Sequence, residues 1–167
     1  MASYQSEQET VANKSGSNDQ LVNEFVEETT DINHVEIIEN VIDSLEQDDS
    51  AMVSQPPEGG YLWKFKYGSV EVFVRLTGTT DEDLITVWSA VLKLPAKDEP
   101  RLMRKLLEMN CSNTFEARFG IIEGQVVVIS IRTLAELSPG EVSRLITVVA
   151  TIADNNDETL QFEFGAA

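Results

Sequence analysis

The segment Phe115–Asp157, FEARFGIIEGQVVVISIRTLAELSPGEVSRLITVVATIADNND, constrains the fold more than any other part of this 167-residue chain. Two apolar runs flank Glu123-Gly124, a two-residue X-Gly loop that tolerates positive φ and closes a tight antiparallel hairpin. Behind the hairpin, Ser138-Pro139-Gly140-Glu141 opens a helix, with a Ser cap, Pro at the first helical position and Glu three residues after the cap. A hairpin running into a capped helix specifies architecture strongly. None of its residues forms a catalytic pattern.

Charge excludes several partners. The chain has 12 basic and 29 acidic residues, a net −17. Residues 1–60 hold 14 acids and one base, Lys14, and residues 61–167 hold 15 acids and 11 bases, so the N-terminal part has a net −13 and the rest −4. Such a field repels phosphate backbones and anionic lipid, so neither nucleic acid nor membrane is expected as a partner. It is expected either simply to keep the chain soluble and monodisperse, or also to screen against wrong partners while favouring a basic or hydrophobic client. Cys111 is the single cysteine, so no internal disulfide can form, which suits a reducing cytoplasm. The opening MASYQSEQETVANKSG has neither the basic nor the apolar region of a signal peptide. The longest near-apolar run, Ile146–Ala153, falls far short of the roughly 20 residues a membrane span needs. A soluble cytoplasmic protein is expected.

Composition divides the chain into an acidic, largely disordered tail over 1–30 and a domain over 31–167. Within the tail, Leu21, Val22, Phe25 and Val26 form a short amphipathic patch, and its docking on the domain would make the tail a lid. Thr30 or Asp31 is expected to cap a helix whose buried stripe is Ile32, Val35, Ile38, Ile42 and Leu45. A loop over 55–60 follows. Tyr61–Tyr67 and Val70–Leu76 flank Gly68-Ser69 as a second tight hairpin. Its register puts Tyr61, Trp63, Phe65 and Tyr67 on one face with Val70, Val72, Val74 and Leu76, and Lys64, Lys66, Glu71 and Arg75 on the other. Leu84–Leu94 reads as a third strand, stopped by Pro95. Asp98 caps a helix with Leu102, Met103, Leu106 and Leu107 buried and Asn110 as its C-terminal stop, and Leu160–Phe164 is a frayed extension of the last helix. The fold class is α+β: an antiparallel five-stranded sheet with three helices, in the order α-β-β-β-α-β-β-α.

Chemistry is absent from the pattern. The only histidine, His34, is expected on the surface and Cys111 in a structural role, with no motif linking them as a dyad. Two soft ligands cannot make a zinc site. Asp81-Glu82-Asp83 lacks the glycine and distal Glu of a calcium loop and reads as an exposed turn. No glycine-rich stretch matches a phosphate cradle. The chain is therefore expected to be no enzyme, with no catalytic residue, no cofactor and no metal.

What remains is surface. With Glu123-Gly124 as the turn, Ile121 faces Val126, Phe119 faces Val128 and Ala117 faces Ser130, and that side is the expected core. The other side presents Ile122, Val127, Ile129 and Ile131 beside Arg118, Glu116 and Gln125. Four aliphatics exceed what a solvated sheet face needs. Either the last helix covers them, or they form a dimer interface or client groove.

The blocks YLWKFKYGSVEVFVRLTG, VWSAVLKLP, RLMRKLLEMN, FEARFGIIEGQVVVISIRTLAELSPGEVSR and ITVVATIADNND together resemble the YbjN-like family of sensory-transduction regulators. That family shares the fold of type III secretion chaperones. The resemblance spans roughly Asp31 to Phe164, and the wording is closest to the cyanobacterial branch. It implies a chaperone-like α+β domain, often a homodimer, with no catalytic residues to carry over. It also implies a module that holds an extended client segment on apolar surfaces, such as an assembly chaperone for carboxysome shell components. The long polar N-terminal extension departs from the pattern. The alternative is a regulatory or structural homodimer linked to signal transduction, with no client.

Overall fold

The computed structural model describes residues 32–166. The expected disordered tail and the Leu21–Val26 patch lie outside the described residues. The elements are α1 (His34–Leu45), β1 (Met52–Ser54), β2 (Tyr61–Tyr67), β3 (Val70–Leu76), β4 (Leu84–Lys93), α2 (Glu99–Ser112), β5 (Arg118–Ile122), β6 (Gln125–Thr133) and α3 (Pro139–Phe164). All neighbouring strands are antiparallel, and the sheet has six strands in the order β1-β2-β3-β4-β6-β5.

The expected five-stranded sheet is corrected by β1. Met52–Ser54 adds to the β2 edge, with Val53 opposite Trp63. All three of its residues are exposed, so no hydrophobic alternation marks it, and Pro56-Pro57 follows closely. Pairing with β2, not local pattern, makes it a strand.

Both hairpins have the register read from their turns. Tyr61 lies opposite Leu76 and Phe65 opposite Val72, while Phe119 lies opposite Val128 and Ile121 opposite Val126. In the first turn Gly68 has φ 54°, and a Cβ there would lie 2.0 Å from Asp154 Oδ1. That carboxylate accepts from Ser69 N at 2.7 Å and Ser69 Oγ at 2.9 Å, tying the turn to α3.

One face of the sheet, here the inner face, meets the three helices of the described residues. Trp63, Phe65, Val72, Val74, Leu76, Ile85, Val87, Val126 and Val128 join Ile38, Ile42, Leu102, Leu106 and the α3 side chains in one core cluster. Fully burying each such side chain is worth about 1.5–3 kcal/mol. Helix α3 opens with the expected capping box, in which Glu141 N donates to Ser138 Oγ at 3.3 Å and Ser138 N donates back to Glu141 Oε2 at 2.9 Å. It runs unbroken to Phe164. Leu160 and Phe164 are 1% and 0% exposed, so the expected fraying of Leu160–Phe164 is replaced by a buried helix end.

Three further expectations change. Asn33, not Thr30 or Asp31, caps α1 by accepting from Glu36 N, and Ile32 stays exposed ahead of it. Helix α2 continues past Asn110 to Ser112. Asn110 instead reaches β5, where Phe119 N donates to its Oδ1 at 2.7 Å and its Nδ2 donates to Phe119 O at 3.2 Å. An otherwise open edge strand is thereby stopped at its second residue.

Candidate functional site: the bare sheet face

The outer face carries no helix among the described residues, because the buried side chains of α1, α2 and α3 all belong to the inner core. The expected alternative of cover by the last helix is thus resolved: α3 lies on the opposite face.

The registers assemble this face in transverse rows. Lys64, Phe73, Trp88, Ile129 and Arg118 follow one another across β2, β3, β4, β6 and β5. Phe73 and Trp88 stack with ring centroids 5.3 Å apart and planes 13° apart, and Lys64 Nζ lies 5.8 Å from the Phe73 centroid. The next row is Ala90, Val127 and Gly120, and the one beyond is Lys93, Gln125 and Ile122. Small residues thus lie between two rows of larger ones. They form the floor of a trough running across β4, β6 and β5, with walls about 13 Å apart at the backbone, four residues along a strand.

The expected contact residues therefore have different roles. Ile122 is 38% exposed, Ile131 is 47% exposed and Arg118 is exposed, so these three offer surface. Ile129 is half-buried in the wall beside Trp88. Val127 is only 2% exposed and stands apart from the inner core cluster, so it is floor and offers little surface of its own. On the inner side, Ile121 is 54% exposed, although the hairpin register had marked it as core.

A cavity of about 840 Å³ opens where β4 outruns β3, and Phe73, Ala90, Lys93, Leu94, Gln125 and Gln161 are among its lining. The β3 partners stop at Ser89, and beyond it Gln161 Nε2 donates to Val91 O at 3.3 Å. The cavity shares Ala90, Lys93 and Gln125 with the trough, so the two are continuous.

Phe73, Trp88, Ala90, Gly120 and Lys93 were not singled out in the sequence. Trp88 and Ala90 join the face because β4 pairs with β6, a partner separated in the chain by α2 and β5. The apolar triplet Val72-Phe73-Val74 was the available signal, since strict alternation would have put a polar residue at 73.

Of the residues weighed for chemistry, His34 and Asp83 have structural roles. His34 is buried and its Nε2 donates to Leu137 O at 3.1 Å, while Cys111 is exposed, the reverse of the surface His and structural Cys expected. His34 is carried inward because it opens α1 against the loop before α3. Asp83 accepts from Thr80 N at 2.9 Å, Thr80 Oγ1 at 2.7 Å and Thr77 Oγ1 at 2.9 Å. The Thr80 amide first, then the two hydroxyls, hold its carboxyl below the ordinary value. It staples the β3–β4 turn. Among the described residues no group of three or more His, Cys, Asp or Glu is placed to hold a metal ion, and no helix is long and apolar enough to cross a membrane.

Among the described residues, the antiparallel sheet has one face covered by helices and the other apolar and bare. The chain belongs to the YbjN family, described as "Putative bacterial sensory transduction regulator", whose profile matches residues 34–162. Among solved structures it is similar to a chain in the crystal structure of the ExsC–ExsE complex. The identity is 20%, the match covers 64% of this chain and 80% of that one, and the TM-score is 0.50. At that identity the likeness concerns the fold alone, and it agrees with the chaperone-like fold. No curated protein matches the chain.

Proposed function

We propose that this protein is a non-enzymatic chaperone or adaptor that holds an extended segment of a client protein against the outer sheet face. The observation that carries the reading is the ridge Phe73–Trp88–Ile129 beside the Ala90–Val127–Gly120 floor, on a face that no helix of the described residues covers. The solved relative comes from a complex of two proteins, which supports a protein partner. Side-chain capture in the trough is favoured over strand addition. Asn110 occupies the β5 edge at Phe119, and β1 offers only Met52–Ser54 at the other. The working unit is residues 31–167, with 1–30 as a tail. The exposed, unpaired thiol of Cys111 suits a cytoplasmic setting. Ile122, Val127, Ile129, Ile131 and Arg118 belong to the client face, together with Phe73 and Trp88. An assembly role, such as the handling of carboxysome shell components, rests on the family resemblance.

The second reading is a regulatory or structural homodimer that consumes the same face. It is favoured by Ile131 and Leu84, 47% and 38% exposed towards one end of that face. Affinity capture from native lysate separates the two. A client recovered by the wild type and lost with Ile129→Asp supports the chaperone. Recovery of the protein's own copies alone supports the dimer.

A further inference from the structure

We infer that the segment taken up by the outer face is acidic as well as apolar, an inference that rests on reading that face as the client site. A client matched to the net charge of −17 would be cationic. The face itself has the opposite sign. Lys64, Lys66, Arg75, Lys93 and Arg118 are five of the chain's 12 Lys and Arg residues, and the registers place all of them outward. Glu71 is the one carboxylate at an outward strand position.

Three of the five cations have counter-charges. Lys64 Nζ meets Glu71 at 2.6 Å, Arg75 meets Glu58 at 3.1 Å and Lys66 approaches Asp48 at 4.0 Å. Among the described residues, Arg118 and Lys93 form no ion pair. They stand on opposite walls of the trough, Arg118 beside Ile129 and Lys93 beside Gln125, with Val127 and Gly120 between. An apolar segment lying there shields both cations from water, which costs free energy unless the segment brings acceptors of opposite charge. Carboxylates at its ends offset that cost, whereas ammonium groups add repulsion. Charge interactions are largely screened beyond about 8 Å at physiological salt, so once a segment is seated the distant acids matter less than these two cations.

The dimensions fit a short stretch of chain. From β4 to β5 across β6 the trough is on the order of 10 Å long, about three extended residues, and the adjoining cavity lengthens it beyond β4.

The test uses two short fluorescent peptides of equal apolar content, one with Glu and one with Lys at the polar positions, titrated into the full chain by anisotropy. The Glu peptide is expected to bind more tightly. Lys93→Glu with Arg118→Glu should weaken it about tenfold and strengthen the Lys peptide. Both positions are exposed, so an unchanged melting temperature will show that the fold survives. Preference for the Lys peptide, or indifference of the Glu peptide to both reversals, overturns the acidic assignment. In those cases a loss of binding with Ile129→Asp leaves the client-site reading standing, and indifference to Ile129→Asp removes it too. Sedimentation with phosphatidylserine vesicles that the reversals abolish would reveal a lipid surface and overturn the inference. So would a dimer, seen by light scattering, whose mass the reversals halve while neither peptide binds.

Discussion

Phe73 on β3 stacks against Trp88 on β4, ring centroids 5.3 Å apart, on the sheet face that no helix of the described residues covers. A half-buried aromatic pair outside the core contributes about 0.5–1.5 kcal/mol beyond its area, less than a core aromatic, but it provides a ready contact. Trp88 is also one of two indoles, the other being Trp63, 3% exposed on the inner face. In Trp63→Phe protein, client addition should therefore shift Trp88 emission to the blue. An unchanged spectrum at saturating client would place binding elsewhere.

Asn110 gives a second prediction. Its amide satisfies both backbone groups of Phe119 on the β5 edge. Asn110→Leu should cost about 1–3 kcal/mol by leaving partly buried groups unpaired. It should also promote self-association through the freed edge. Chemical denaturation and light scattering measure the two effects, and a fully stable monomer would show that the edge is protected by other means.

Two phenylalanines near the end of α3 should behave oppositely. Phe164 is 0% exposed, beneath Arg101 and Lys105 at 5.0 and 5.5 Å from its ring centroid, whereas Phe162 is 92% exposed. Phe164→Ala should destabilise by about 3–5 kcal/mol, the usual cost of removing a core aromatic. Phe162→Ala should stay within about 0.5 kcal/mol of wild type. Similar unfolding midpoints for the two variants would mean that the last turn is not part of the core.

Acid should weaken the fold through four carboxyls. Asp83 is held below its ordinary 3.8, chiefly by the Thr80 amide. Glu116 is held below 4.5 by Arg144, Glu141 by the Ser138 amide and Glu163 by Lys105. Their folded values are depressed, so the unfolded chain takes up protons first. The stabilisation is present above the ordinary values and disappears as pH falls through the folded ones. Melting temperature should be insensitive to these groups from pH 8 to about 5 and fall below that. The gap between wild type and Asp83→Asn should close towards pH 3. A gap that stays constant into acid would show that Asp83 acts by shape, not by charge.

The parts of the fold legible in the sequence are those fixed by neighbours in the chain. Glu123-Gly124 and Gly68-Ser69 set the hairpin registers, and Ser138 with Glu141 set the start of α3, because turn and cap geometry use residues a few positions apart. β1 was hidden because its three exposed residues acquire order from β2 alone. Asn110 looked like a helix stop because its partner, Phe119, lies across a loop. The candidate face was half legible. Ile122, Val127, Ile129 and Ile131 stood out by alternation, but their order beside Trp88 and Ala90 depends on the long-range β4–β6 pairing. Sequence and structure point to different signs for the client for a related reason. Net charge sums over the whole chain, whereas the inferred contact is with Arg118 and Lys93, which form no ion pair among the described residues.

Gly120 offers the most direct test that this trough is the client site. It lies in the floor, and among the described residues an added Cβ would meet only Ile129 Cγ2, at 3.7 Å. Gly120→Leu should therefore fill the trough while leaving the melting temperature equal or higher, since glycine is a poor strand residue. Quantitative affinity capture with the folded variant and the wild type, side by side, is the measurement. The wild type should recover a partner protein that Gly120→Leu loses. Equal recovery of that partner by both proteins would overturn the assignment of the outer sheet face as the place where a client is held.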